Sequence, residues 1–323
     1  HSADGFARLQ PAPSGSTRNT KMSVRIFCFF LLALFPAASP AADEEILPGL
    51  REQVVQVPVR IEGLFGDSEV NLTATLFRPR GDGPFPLVVL SHGTQPHAAD
   101  RAKIGRFRRI PQTREFIKRG FAVIVPIRRG HGASGGDYAE EKGRCAAPVY
   151  YEAGRAGGLD IVATVDYAVK LPYVNPHCII LAGQSTGGFA SLAAASMNPK
   201  GLIAAVNFSG GHGGDPATRP GEPCDPQSLA AAVAKFSQTI RVPVLWHYAE
   251  NDRFFSPRHV RAWFAAFEKA GGTGRLVIQP PFGEDGHRLF NSRDGIPIWT
   301  RAFDSFLKDF NVGGGRCGIR IAP

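Results

Sequence analysis

Three observations predict an α/β fold with an eight-stranded, mostly parallel sheet and helices on both faces. Two strands stand in hairpin order near the start, short apolar runs follow between turn signals, and helical patterns fall between the later runs. The opening pair covers residues 53–61 and 70–77, joined by a Gly-containing turn. Residues 87–90 and 121–125 are short and apolar throughout, the pattern of strands buried on both faces. Residues 178–181, 203–208, 244–248 and 276–279 complete the eight.

The helices are read in the same way. Ile161, Val162, Val165, Ala168 and Val169 repeat at helical spacing within residues 158–170. Residues 185–197 are small and apolar and stop at Asn198-Pro199. Ser256-Pro257 is an N-cap followed by Pro at the first helical position, ahead of Val260, Phe264 and Phe267. Residues 297–310 form a last helix, and residues 210–237 read as a Gly/Pro-rich, cap-like insert carrying one Ala-rich helix. There is no internal repeat.

The N-terminal region reads differently. Residues 1–21 are polar and rich in Pro, Gly and Ser, and are expected to be a non-native or disordered leader. From Met22 the chain carries Arg25, the ten-residue apolar run 26–35, and a small-residue exit in which Ser39 and Ala41 suit a cleavage site. This is the pattern of a signal peptide over residues 22–41, with a run too short to span a bilayer. The single domain then covers residues 42–323, and the expected location is secreted or periplasmic, with no stable membrane span after removal of the signal.

With 43% hydrophobic and 20% charged residues, composition excludes wholesale disorder. The formal charge of +9 falls to +6 once residues 1–41 are set aside, and the arginines cluster only at 101–109 and at Arg128-Arg129. There is no basic stripe with a recognisable nucleic-acid module, so no nucleic-acid partner is expected; the charge fits solubility or an anionic substrate. Cys145, Cys178, Cys224 and Cys317 remain after the signal segment, an even number permitting two disulfides in an exported protein. Cys145 and Cys224, both in polar loops, are the expected pair, while Cys178 also suits a buried strand position. None has metal-ligand spacing, and no metal or other cofactor is expected.

The chemistry-bearing motif is Gly183-Gln184-Ser185-Thr186-Gly187. In G-x-S-x-G the nucleophile stands on a sharp strand-to-helix turn, which small neighbours make possible. An apolar strand precedes Ser185 and a helix follows it. The same pattern recurs at Gly132-Ala133-Ser134-Gly135-Gly136, where residues 126–131 separate it from the strand and a polar stretch follows, so Ser134 reads as a turn residue. A serine hydroxyl needs a base, and the base a carboxylate to orient it. In the order Ser, acid, His, Asp252 follows the strand at 244–248 and His287 follows the strand at 276–279; Glu250 is the rival acid. Two backbone N–H groups are needed for the oxyanion, and Thr186 and Thr94, the latter in Ser91-His92-Gly93-Thr94, are expected to supply them. Arg128 or Arg129 is placed at a substrate carboxylate, and Trp246, Tyr150 and Tyr151 at an acyl pocket; solvated arginines and core aromatics are the alternative.

Together, Ser91-His92-Gly93, the segment from Arg129 to Gly136, the motif around Ser185, Glu250-Asn251-Asp252 and Asp285-Gly286-His287 make the chain resemble the dienelactone-hydrolase-related branch of the α/β-hydrolase superfamily. The resemblance spans roughly residues 50–310 and implies an α/β-hydrolase fold with Ser185, Asp252 and His287 as catalytic triad. It departs from that branch in carrying serine where true dienelactone hydrolases carry cysteine, so the expected substrates are small carboxylic esters. A serine peptidase or amidase related to the prolyl oligopeptidases, and a non-catalytic binding protein on a hydrolase scaffold, are the alternatives.

Overall fold

The computed structural model describes residues 46–61, 66–95 and 97–321, so the leader and signal-peptide expectations lie outside the described residues. Strands β1 (Gln53–Ile61) and β2 (Ser68–Phe77) pair antiparallel, and β2 pairs antiparallel with β4 (Ala122–Pro126). Beyond them β3 (Phe85–Ser91), β5 (Val174–Gln184), β6 (Leu202–Phe208), β7 (Val244–Ala249) and β8 (Gly274–Gln279) join a parallel array. The eight strands lie in the order β1-β2-β4-β3-β5-β6-β7-β8. The mostly parallel eight-stranded sheet is the one expected.

The pleat explains why the central strands are apolar throughout. In β3, Leu87 and Val89 enter one core while Val88 and Leu90 enter the other. The first core is closed by α3 (Tyr150–Ala168), α4 (Thr186–Ser196), α5 (Pro226–Ser237) and α6 (Pro257–Lys269). The second is closed by α2 (Ile110–Lys118) and α7 (Ile296–Asp309), through Phe116, Trp299, Phe303 and Phe306. Helices therefore cover both faces. The 210–237 segment, expected as a cap-like insert, instead contributes a core helix: α5 buries Leu229, Val233 and Phe236 against the sheet because its apolar face packs in the first core.

Three elements depart from expectation. The short α1 (Ala98–Ala102) and α2 fall in a stretch rich in arginine with no sustained apolar period. Helix α3 begins at Tyr150 rather than at 158, through three glycines that weaken a helix in isolation. Here they allow close packing: a Cβ on Gly154 would stand 2.8 Å from the Phe189 ring, and one on Gly158 3.0 Å from the Ala194 backbone.

Cys145 and Cys224 form a disulfide, the expected pair. Cys178, at a buried position of β5, is bonded to Cys317, which ties the C-terminal segment to the sheet.

Candidate active site

The parallel strands end on one edge, and the loops leaving that edge carry the candidate residues. Register aligns Ser91 at the end of β3 with Gly183 near the end of β5, so the loop 92–94 and the turn at Ser185 emerge side by side. Ser185 has φ 58° and ψ −128°, a conformation L-residues rarely adopt. Its N–H donates to Phe208 O (3.0 Å), and its carbonyl accepts from Gly188, Phe189 and Gly211. Flanking glycines are required by contact: a Cβ on Gly183 would lie 2.1 Å from Gly187 O, and one on Gly187 2.4 Å from His92 O.

Asp252 leaves β7 and His287 follows β8; they are 4% and 6% exposed. His287 Nδ1 lies 3.1 and 3.0 Å from the two Asp252 carboxylate oxygens. Asp252 Oδ1 also accepts from the N–H groups of Phe254 (2.8 Å) and Phe255 (3.0 Å), which fixes the carboxylate. The Phe254 ring stacks on the imidazole with centroids 4.0 Å apart. Asp285 accepts from His287 N–H and Arg253 N–H at 3.0 Å each, and Asn251 Nδ2 donates to Gly283 O at 3.0 Å, so the two loops brace one another. Ser185 and His287 line one cavity of about 800 Å³, together with Gly93, Thr94, Gln184 and Phe254. No hydrogen bond joins Ser185 Oγ to His287 here, and His287 Nε2 has no partner among the described residues.

Thr94 lies beside the turn: a Cβ on Gly93 would stand 3.1 Å from Ser185 Cβ. Among the described residues, no acceptor takes the N–H of Thr94 or Thr186. The structure thus brings together Ser185, Asp252, His287, Thr94 and Thr186. Glu250, the rival acid, is exposed and its carboxylate has no contact with His287. Ser134 Oγ donates to Ile127 O and accepts from Thr73 N–H, as a turn residue would.

Three expected substrate contacts are corrected. Arg128 is fully buried and makes a two-point pair with Glu140 (2.6 and 3.1 Å). Its Nη1 donates to His92 O (2.7 Å) and its Nη2 reaches Thr94 Oγ1 (3.4 Å), so it supports the loop of Thr94 from beneath. Arg129 turns toward Asp160, with Nε 2.8 Å from the carboxylate and its N–H donating to the other oxygen. Trp246 is 1% exposed and packs on Tyr248, Phe264 and Phe267 in the core. None of the three side chains lines the cavity of Ser185 and His287. Tyr150 and Tyr151 likewise pack against the first core.

Burial governs the charge states around the site. Desolvation, then Arg128, hold His92 well below the ordinary imidazole range. His92 Nε2 accepts from Arg128 N–H (3.0 Å), so the proton sits on Nδ1, which donates to Gly93 O (2.8 Å). Burial pushes the Glu140 carboxyl up, but the charge and hydrogen bonds of Arg128 outweigh it and hold the group below its usual value.

The model of the X-Pro dipeptidyl-peptidase (S15) family matches residues 67–230, just over half of the chain. The chain belongs to the S15 family. The matched span of this S15-family chain holds Thr94, Ser185 and Thr186 and stops before Asp252 and His287. Among solved structures it is similar to the Pyrococcus furiosus esterase Pf2001, with TM-score 0.56 and 15% identity over 85% of this chain and 99% of that one. It is similar also to the acetyl xylan esterase of Paenibacillus sp. R4, with TM-score 0.53 and 17% identity over 81% and 89% of the two chains. The Pyrococcus horikoshii acylaminoacyl peptidase aligns with TM-score 0.56 and 13% identity over 80% of this chain and 42% of that one. No curated protein matches the chain. The S15-family protein is thus an α/β-hydrolase-fold enzyme of the hydrolase class, within the superfamily expected from its motifs. No helix among its described residues is long and apolar enough to cross a membrane.

Proposed function

We propose that this protein hydrolyses small carboxylic esters through an acyl-enzyme on Ser185. The observation that carries the reading is Ser185 held at φ 58° on the strand-to-helix turn, in one cavity with an imidazole braced by a buried carboxylate. Ser185 Oγ attacks the ester carbonyl as its proton passes to His287 Nε2. Asp252 holds the other ring nitrogen as the N–H tautomer and stabilises the imidazolium. The oxyanion is met by the N–H groups of Thr94 and Thr186. Collapse breaks the bond to the alcohol oxygen, which takes the proton from His287. Water, deprotonated by His287, then attacks the acyl-enzyme and releases the acid and free Ser185.

Peptide hydrolysis by the same machinery is the second reading, favoured by the family match across the Ser185 region. The ester reading is supported by similarity to esterases across 99% and 89% of their own lengths. We also infer, from the sequence pattern of residues 22–41 and from two disulfides, that the protein works in an oxidising compartment, secreted or periplasmic.

A fluorophosphonate probe is expected to label the native protein on Ser185 and to leave Ser185→Ala unlabelled. Equal labelling of both, or none of the native protein, overturns the nucleophile. Matched p-nitrophenyl ester and p-nitroanilide substrates then divide esterase from peptidase, and faster turnover of the anilide would reverse the order of the two readings.

A further inference from the structure

We propose that Arg109 is a specificity-determining residue that binds a carboxylate carried by the substrate, so that the favoured substrates are anionic esters. The proposal rests on the Ser185 reading and specifies its substrate class. Arg109 lines the same cavity as Ser185 and His287. It is half-buried, its guanidinium stacks on the Phe107 ring with Cζ 4.4 Å from the centroid, and its buried Nε has no hydrogen-bond partner. No carboxylate among the described residues lies within ion-pair distance of it.

The neighbouring arginines are engaged elsewhere. Arg106 and Arg108 both pair with Glu52, at 2.8 and 2.6 Å, and Arg101 lies over the Tyr138 ring. Arg109 is also held in place. Its backbone sits at φ 39°, its carbonyl accepts from Thr113 N–H (2.8 Å), and Thr113 Oγ1 donates to Arg108 O (2.7 Å). A partly desolvated guanidinium without a counter-ion has hydrogen-bonding capacity that a ligand carboxylate satisfies in two-point fashion. Desolvation lowers the Arg109 pKa, the direction expected of a cation awaiting a partner.

Three carboxylates also line the cavity and bear on its charge. Asp285 is committed to the backbone of Arg253 and His287. Glu284 and Asp294 are exposed, as is Arg288, and charges in water contribute little to recognition. Arg109 and Asp285 are the half-buried charges of the set, and of the two Arg109 alone lacks a hydrogen-bond partner among the described residues, so the anion is the favoured ligand.

The test compares kcat/KM for matched esters. On the acyl side, p-nitrophenyl hydrogen adipate is set against p-nitrophenyl hexanoate; on the alcohol side, 4-acetoxybenzoate against its methyl ester. One pair is expected to favour the anion by roughly 10- to 100-fold, the range of a charge-assisted hydrogen bond. In Arg109→Gln that ratio is expected to fall to within about threefold of one, with Arg109→Lys between because it loses the planar fork. Adipate is expected to inhibit the native enzyme competitively where adipamide does not, a readout independent of any variant. The proposal is overturned by no anion preference in either pair, by an undiminished preference in a folded Arg109→Gln, or by equal inhibition from adipate and adipamide. Turnover of both charge types alike defeats Arg109 alone. Failure of every ester, with no fluorophosphonate labelling, defeats the Ser185 reading as well.

Discussion

Ser185 is an L-residue at positive φ, a conformation costing of order 1–3 kcal/mol that persists only where neighbours over-determine it. Here four backbone hydrogen bonds, one donated and three accepted, provide that constraint. Asp252 shows the same economy: one oxygen takes two backbone N–H groups, and both lie near His287 Nδ1. Asp252→Asn keeps the shape but presents an amide that favours the wrong imidazole tautomer. A fall in kcat of about 10⁴ is expected, whereas Glu250→Gln, at an exposed position, is expected to stay within about twofold. Steady-state kinetics on one p-nitrophenyl ester checks both, and comparable losses would place the orienting carboxylate on the wrong residue. The order of strand, turn and acid made Ser185, Asp252 and His287 legible in the sequence. Arg109 was not legible, because nothing in a run of four arginines distinguishes the unpaired one from those bound to Glu52 or stacked on Tyr138.

At the scale of elements, the site depends on how closely the β3 loop approaches the turn after β5. Gly187 has the carbonyl oxygens of His92 and Ser91 2.4 and 2.5 Å from where a Cβ would stand. Gly187→Ala must push that backbone away and with it the N–H of Thr94. We expect roughly 1–3 kcal/mol of destabilisation, from the urea midpoint, and a fall in kcat of about 10²-fold from a displaced donor. Gly105→Ala, with nothing within 4 Å of its added Cβ, is the control and should change stability by less than about 0.5 kcal/mol. Equal midpoints for the two variants would contradict the crowding. The central strands were readable because burial on both faces makes them apolar throughout. Helix α3 was readable only from 158 onward, because Gly154, Gly157 and Gly158 gain their value from the α4 and α5 side chains packed against them.

For the whole molecule, the buried histidines make stability depend on pH. Desolvation lowers His92, His131, His212 and His247, the last to about 4. An unfolded imidazole titrates near 6.5, so between pH 6.5 and 4 the unfolded chain binds the proton that folded His247 refuses. Stability from this group is therefore present above about pH 6.5 and is lost as pH falls, by up to about 1.4 kcal/mol per unit and roughly 3 kcal/mol in all. Asp160 acts with opposite sign: burial pushes it up to about 6 despite Arg129, so its contribution improves as pH falls over the same range. His247→Gln isolates the imidazole, since Gln279 Nε2 donates to His247 Nε2 and an amide oxygen can accept in its place. Urea titrations at several pH values between 7 and 4 should show a shallower acid loss in the variant; parallel curves would assign that loss to other groups.

The sequence by itself determined the class of fold and singled out Ser185, Asp252 and His287, the proposed nucleophile, acid and base. Periodicity records which faces are buried, and the strand-to-helix turn at Ser185 has no room for a side chain at 183 or 187. The even cysteine count allowed three connectivities; location in polar loops suggested Cys145–Cys224, and the fold selected it. Only the tertiary structure decided which charges meet a ligand. Arg128 and Arg129 look available beside a strand end, yet each is neutralised by a carboxylate from elsewhere in the chain, Glu140 and Asp160. Arg109 keeps its charge for the cavity because no such partner among the described residues folds against it. Pairing across long sequence separation is a property of the packed chain, and no local pattern carries it.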